Sequence, residues 1–155
     1  MILWFAACAV MGAWMVLRDQ NFDYRFIAVG ALAPDLLDAP LGHRGLAHTL
    51  VFAVGSLAVV MAVTVNRRPV RKRLIALPIG LLAHLVLDFV FAQQRLFWWP
   101  AFGSWRSYDL LPPPMVFVVR ELVGVFVAVQ IVRRFGLRDR DRRAEFLRTG
   151  RISPC

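Results

Sequence analysis

The chain has 155 residues, room for one domain by length, and 59% of them are hydrophobic with a mean hydropathy of +0.58, above the usual composition of soluble domains. Its formal charge of +9 sits mostly in short Lys/Arg blocks between or after apolar runs, a membrane-topology pattern rather than the basic surface of a nucleic-acid-binding protein. Two cysteines, Cys8 in an apolar run and Cys155 at the last position, form no spaced framework, so neither a disulfide nor a cysteine metal site is expected.

Bilayer-spanning helices need roughly 17–25 mostly apolar residues, and five runs qualify: 1–17, 26–42, 46–65, 74–92 and 115–132. The first has no basic n-region and reads as a retained span rather than a signal peptide. The second carries Pro34, Asp35, Asp38 and Pro40, and is a short span or a half-helix ending at mid-membrane in a protein-enclosed cavity. The expected fold is therefore all-α, a polytopic transmembrane bundle of about five spans over residues 1–132, followed by a basic cytoplasmic tail over 133–155. Pro112, Pro113 and Pro114 give the last span a rigid approach.

Orientation follows the Lys/Arg count in short loops. With five crossings, the cytoplasmic side receives Arg18, Arg25, Arg67, Arg68, Arg71, Lys72, Arg73 and the tail arginines, and the outer side only Arg44, Arg95 and Arg106. If 26–42 does not cross, Arg18 and Arg25 change sides while everything after residue 46 keeps its orientation. Phe97, Trp98, Trp99, Phe102, Trp105 and Tyr108 read as an interfacial aromatic belt. The tail alternates basic residues with Phe135, Leu137, Phe146, Leu147 and Ile152, a pattern for an anionic leaflet or for a solvated tail. No GxxxG-type face stands out, which leaves the oligomeric state open.

Intramembrane ionisable groups are costly, so each needs a partner or a wet cavity. At 1.5 Å per residue, Asp35 and Asp38 lie about 14 and 18 Å from the cytoplasmic start of the second span, and His84 and Asp88 about 15 and 21 Å into the fourth. Glu121 falls about 9 Å below the outer end of the last span, and His48 is close to the outer end of the third. All six groups converge in the outer half of the bilayer core. Imidazoles mixed with carboxylates suit a divalent ion, Zn first, with Mn or Fe as options. Such an ion lowers the pKa of water to the neutral range, which makes hydrolysis the natural reaction.

Each residue has a structural alternative. Asp35 and Asp38 follow proline and also suit helix breaking and capping. His43 lies in a turn where solvated histidine is common, and His48 at a helix start serves as ligand or interfacial polar group. His84 and Asp88, four apart on one face, satisfy each other as a pair or serve a metal together. Glu121 is a ligand, base or counter-ion, and Arg120 an interfacial snorkel or an anion binder. Asp109 reads as a turn residue.

Gly30-Ala31-Leu32-Ala33-Pro34-Asp35-Leu36-Leu37-Asp38, then His43-Arg44-Gly45-Leu46-Ala47-His48-Thr49, then Leu82-Ala83-His84-Leu85-Val86-Leu87-Asp88, resemble the motifs of the bacterial membrane-bound metal-dependent hydrolase family, often labelled LexA-regulated or LexA-binding inner-membrane-associated hydrolases. Trp99-Pro100 matches a further element, and the resemblance covers about residues 26 to 103. It implies that Asp35, Asp38, His48, His84 and Asp88 are metal ligands with His43 beside them. Many members of that family carry a further histidine in the first helix, whereas here none precedes His43.

The expectation is a bacterial inner-membrane hydrolase with its site toward the outer face and its C-terminus in the cytoplasm. Asp35, Asp38, His48, His84 and Asp88 hold the metal, His43 or Glu121 moves protons, and Arg44 or Arg120 steadies an anionic substrate, with a lipid-linked ester or phosphoester favoured by the depth of the site. The rival is a non-enzymatic membrane protein in which the same groups are structural or carry a cation or proton.

Overall fold

The computed structural model describes residues 1–20, 22–103, 109 and 111–152, so Trp105, Arg106, Tyr108 and Cys155 lie outside the described residues. Among those described, every regular element is helical; one isolated antiparallel bridge joins His43 to Asp109. Helix α1 runs over Ile2–Leu17 and stops where Arg18 turns left-handed at φ 49°. Helix α2, Tyr24–Asp38, opens on Asp23, whose carboxylate accepts the Arg25 backbone amide. It ends in a 3₁₀ turn over Ala39–Leu41, closed by Gly42 at φ 70°.

A second 3₁₀ turn, Leu46–His48, leads into α3, Leu50–Val63, which Thr49 caps by accepting from the Phe52 amide. Helix α4, Arg68–Leu74, and α5, Ala76–Leu87, follow, and α5 gives way at Asp88 and the left-handed Phe89. The short α6, Gln94–Phe97, precedes α7, Pro114–Arg134, which starts on a proline whose missing N–H is no loss there. Helix α8, Arg140–Thr149, is capped by Asp139, and the amides of Arg142 and Asp141 hold its carboxyl below the usual carboxylate range.

These boundaries do not support the expected five spans. Among the described residues, only α7, with 21 residues, is both long and apolar enough to cross a membrane by itself. The other candidates shorten to 16, 15, 14 and 12 helical residues, about 18–24 Å at 1.5 Å per residue against a core of about 30 Å. The apolar runs 26–42, 46–65 and 74–92 continue past the ends of the helices because hydropathy does not register the turns at residues 39–42, 46–48 and 88–90.

Helix α2 packs most extensively on α5, and α1 on α7 and α2. Glycine permits the first of these crossings: a Cβ on Gly30 would strike the Leu77 carbonyl oxygen, and one on Gly80 the Ile27 carbonyl oxygen. Gly124 of α7 likewise meets the backbone of Leu3 and Trp4. The main buried cluster joins Phe5, Tyr24, Ile27, Ala31, Phe135 and Ile152. Its last two members come from the basic C-terminal segment, which folds back: the Tyr24 amide donates to the Gly150 carbonyl at 2.9 Å and Arg25 Nη1 to the Leu147 carbonyl at 2.6 Å.

Much apolar surface stays exposed. Helix α7 presents Met115, Val118, Val119, Leu122, Val125 and Phe126, and α3 presents Val51, Val54, Val59 and Val63. Apolar area on this scale is normally covered by lipid or a partner protein.

Candidate metal centre

Three side chains from three segments bring one potential ligand atom each to a common point: Asp35 in the last turn of α2, His48 at the end of its 3₁₀ turn, and His84 in the last turn of α5. His48 Nε2 and His84 Nε2 are 3.3 Å apart. Asp35 Oδ1 lies 3.4 Å from the first and 3.7 Å from the second. Both imidazoles are fully buried, whereas Asp35 is about one-third exposed and forms the open side of the triangle.

The other nitrogen of each ring is already committed. His48 Nδ1 donates to Asp38 Oδ2 at 2.6 Å, and His84 Nδ1 donates to the Ala31 carbonyl at 2.7 Å. A carbonyl only accepts, so the neutral His84 carries its proton on Nδ1, and the Asp38 carboxylate selects the same tautomer in His48. With both rings neutral, two Nε2 lone pairs and a carboxylate oxygen face one another. A cation relieves that arrangement, and both rings have the outward hydrogen bond that metal-binding histidines almost always make.

The spacing also suits a metal. A tetrahedral zinc ion with bonds of about 2.0–2.1 Å separates its ligand atoms by about 3.3–3.4 Å. The observed edges of 3.3, 3.4 and 3.7 Å equal that separation or exceed it by a few tenths of an ångström. Two imidazoles with one carboxylate fit Zn, Mn or Fe, and the donor set alone does not choose among them.

The remaining candidates sit around this triangle rather than in it. Asp38 lies behind His48, and the same Oδ2 accepts the Gly45 amide at 2.7 Å. Asp88, despite its four-residue spacing from His84, turns to two arginines: its Oδ2 is 2.6 Å from Arg44 Nη2 and its Oδ1 2.9 Å from Arg120 Nη1. Arg44 is buried, and its Nε has no hydrogen-bond partner among the described residues. The Arg120 guanidinium also lies over the rings of Trp4 and Phe89 at 5.9 and 5.7 Å. Glu121 faces α1, where its carboxylate accepts the amides of Leu3 and Trp4 at 3.2 and 3.5 Å. His43 is half-buried, with its Nδ1 on the Arg44 carbonyl at 3.1 Å.

Two apolar hollows flank the centre. Asp35 lines one of 360 Å³ together with Met1, Ile2, Leu32, Leu36 and Leu111. The other, 630 Å³, runs between α2, α3 and α5 along Ala33, Leu37, Leu46, Phe52, Val59 and Leu81.

Several contributors escape a reading by residue type. The Ala31 carbonyl orients His84 and has no side-chain signature. Phe5 stacks on the His84 ring at 4.0 Å between centroids, but in sequence it is one more apolar residue of the first run. Gly30 and Gly80 set the α2–α5 crossing one residue from Ala31 and one turn from His84. Two glycines in apolar runs were the available signal, though they lie in different helices and form no GxxxG pattern.

No curated protein and no solved structure matches the chain. The family model described as YdjM inner membrane protein matches residues 2–147, a stretch that contains α1 to α7, all three potential ligands and the two arginines on Asp88. The chain therefore belongs to the YdjM inner membrane protein family, a family of the bacterial inner membrane.

Proposed function

We propose that this protein is a membrane-embedded metal-dependent hydrolase acting on a lipid-linked ester or phosphoester at Asp35, His48 and His84. The carrying observation is the buried triangle of ligand atoms, whose one exposed member opens into an apolar hollow. A water-soluble substrate has no use for a hollow walled by Ile2, Leu32, Leu36 and Leu111, whereas a lipid tail is stabilised there.

The roles divide as follows. A divalent ion, zinc first, supplies Lewis acidity toward an ester or phosphoryl oxygen and brings the pKa of water into the neutral range. Asp38 and Ala31 fix the protons on His48 Nδ1 and His84 Nδ1, which keeps both Nε2 lone pairs pointed inward. Asp88 anchors Arg44 and Arg120, so that the unpaired Arg44 Nε is a donor for an anionic substrate oxygen. Proton transfer falls to His43, the one histidine outside the triangle, because both Glu121 oxygens are taken by α1 amides.

The same reading places α1, α2, α3, α5 and α7 across the bilayer, with the C-terminus cytoplasmic and the site toward the outer face. Three basic segments support it by meeting at one end of the bundle: Lys72 pairs with Asp19 at 2.9 Å, and Arg25 reaches Leu147. Asp35 and His84 lie in the last turns of α2 and α5, toward the opposite end. Short helices cross by local bilayer thinning or by oligomerising. Residues 133–155 are then the cytoplasmic segment.

The test is elemental analysis of the detergent-purified protein beside Asp35→Ala/His84→Ala, followed by hydrolysis assays on lipid esters and phosphoesters. About one equivalent of Zn, Mn or Fe, lost in the double variant together with turnover, is the expected result. Metal without turnover on any lipid substrate would replace the enzyme with a structural or cation-carrying site, and a folded protein without metal would remove the centre itself.

A further inference from the structure

At the end of the bundle remote from Asp35 and His84, α4 lies between the ends of α3 and α5 and presents Arg68, Lys72 and Arg73 to solvent. Arg151 joins them from the C-terminal segment, and together with Pro69 these four residues line a cavity of 460 Å³ that has no acidic wall among the described residues. Arg151 is held there by the fold. Gly150 turns left-handed at φ 71°, its carbonyl accepts the Tyr24 amide, and the Arg151 amide donates to Thr149 Oγ1 at 3.2 Å.

Neighbouring carboxylates cancel only part of the charge, Asp19 pairing with Lys72 and Glu145 sharing a separate hollow with Arg151. Asp23 is taken up by Arg25, at 2.8 Å from Nη2 and 3.0 Å from Nε. Lys72 alone of the four is paired, with Asp19; among the described residues the guanidinium groups of Arg68, Arg73 and Arg151 have no ion-pair partner. A second hollow, 400 Å³, shares Pro69 and Arg73 with the first, passes the Asp23–Arg25 ion pair and continues along Phe26, Val70 and Leu74. A cationic pocket thus opens, across Arg73, onto a trough with Phe26, Val70 and Leu74 along it and the Asp23–Arg25 pair at its edge.

That sequence of surfaces matches one amphiphile. Converging guanidinium groups suit the oxygens of a phosphodiester, and the trough suits the upper part of an acyl chain. Both lie where α3 turns into α4 and α4 into α5, the headgroup level of a protein whose helices lie across the bilayer, whichever side faces the cytoplasm. We infer that the basic pocket of Arg68, Lys72, Arg73 and Arg151 binds the phosphate of an anionic phospholipid, with an acyl chain along Phe26, Val70 and Leu74. The site is separate from the metal centre, and its occupancy joins α4 to the C-terminal segment through one bound lipid.

The full-length protein in a neutral detergent, titrated with phosphatidylglycerol or phosphatidylcholine and read by native mass spectrometry, tests this. Phosphatidylglycerol should bind about tenfold or more tightly than phosphatidylcholine, and Arg68→Gln/Arg73→Gln/Arg151→Gln should abolish that preference. Arg68→Lys/Arg73→Lys/Arg151→Lys should keep most of it. Arg138→Gln/Arg140→Gln/Arg143→Gln, which removes the same charge from residues outside the pocket, should keep all of it. Equal binding of the two lipids, equal loss in the remote triple variant, or loss in the lysine variant as complete as in the glutamine variant would each overturn the assignment. Displacement of the lipid by millimolar inorganic phosphate would overturn it in favour of a free-phosphate site.

Discussion

His48 and His84 face each other Nε2 to Nε2 at 3.3 Å while each gives its Nδ1 proton outward, one to a carboxylate and the other to a main-chain carbonyl. Two neutral imidazoles so arranged offer only lone pairs to the space between them, and Asp35 Oδ1 adds a third acceptor. A metal ion in that space supplies cohesion, as does a proton on His48 Nε2 directed at Asp35.

Asp38→Asn should separate orientation from ligation. The amide side chain can still accept the Gly45 N–H, but it holds the His48 Nδ1 proton less firmly. Metal affinity should fall about 10- to 100-fold with the helices intact, the usual range for an outer partner of a metal-binding histidine. Competition with a chromophoric chelator measures it, and Asp35→Asn in the same assay should lose far more.

Asp88→Ala should act mainly on stability. It leaves Arg44, buried, and Arg120, half-buried, without their shared counter-charge, and breaking such a pair costs about 3–5 kcal/mol. Thermal unfolding of metal-free protein in detergent should show that loss. If Asp88→Ala instead left stability unchanged and removed the metal, Asp88 would be a ligand and the arrangement with Arg44 and Arg120 would be wrong.

Gly30→Ala and Gly80→Ala should disturb the centre without touching a ligand. Each added methyl meets carbonyl backbone of the facing helix and forces α2 and α5 apart, a strain of about 1–3 kcal/mol. Metal stoichiometry should fall with stability, because the Ala31 carbonyl moves away from His84. Gly12→Ala, where a Cβ meets nothing within 4 Å, is the control expected to change neither.

Gly150→Ala should loosen the C-terminal segment. The new Cβ would be driven into the Asp23 carboxylate at a left-handed backbone position, where a side chain costs about 1–2 kcal/mol. Limited proteolysis should cut between α7 and α8 sooner than in the native chain, and phosphatidylglycerol binding should weaken as Arg151 is released.

The cluster of Asp35, His48 and His84 was legible in the sequence because these are polar groups in apolar runs, and the cost of burying them favours their meeting. Helix periodicity misled at Asp88: four residues after His84 is one turn on, but Asp88 is the residue at which α5 stops, and its side chain goes to Arg44 and Arg120. The helix lengths came out shorter than the apolar runs for a related reason. Hydropathy averages over the turns at Gly42 and Phe89, so the sequence shows apolar length where the chain has already left the helix. The tail was hardest to read. Phe135 and Ile152 are buried while Leu147 is exposed, and nothing in an alternation of arginine with apolar residues says which will find Tyr24.

Asp38 Oδ2 accepts from both Gly45 and His48, closing the segment between them into a loop of set circumference. There is little slack in it: a side chain on Gly45 would crowd the Asp38 carboxylate and Leu41. The ten-residue interval from Asp38 to His48 therefore acts as a ruler. A homologue that keeps every ionisable residue but gains or loses one position in this interval should have lost the centre, and one that exchanges the apolar residues at constant length should have kept it. For sorting genomes, the interval would be a sharper criterion than residue identity.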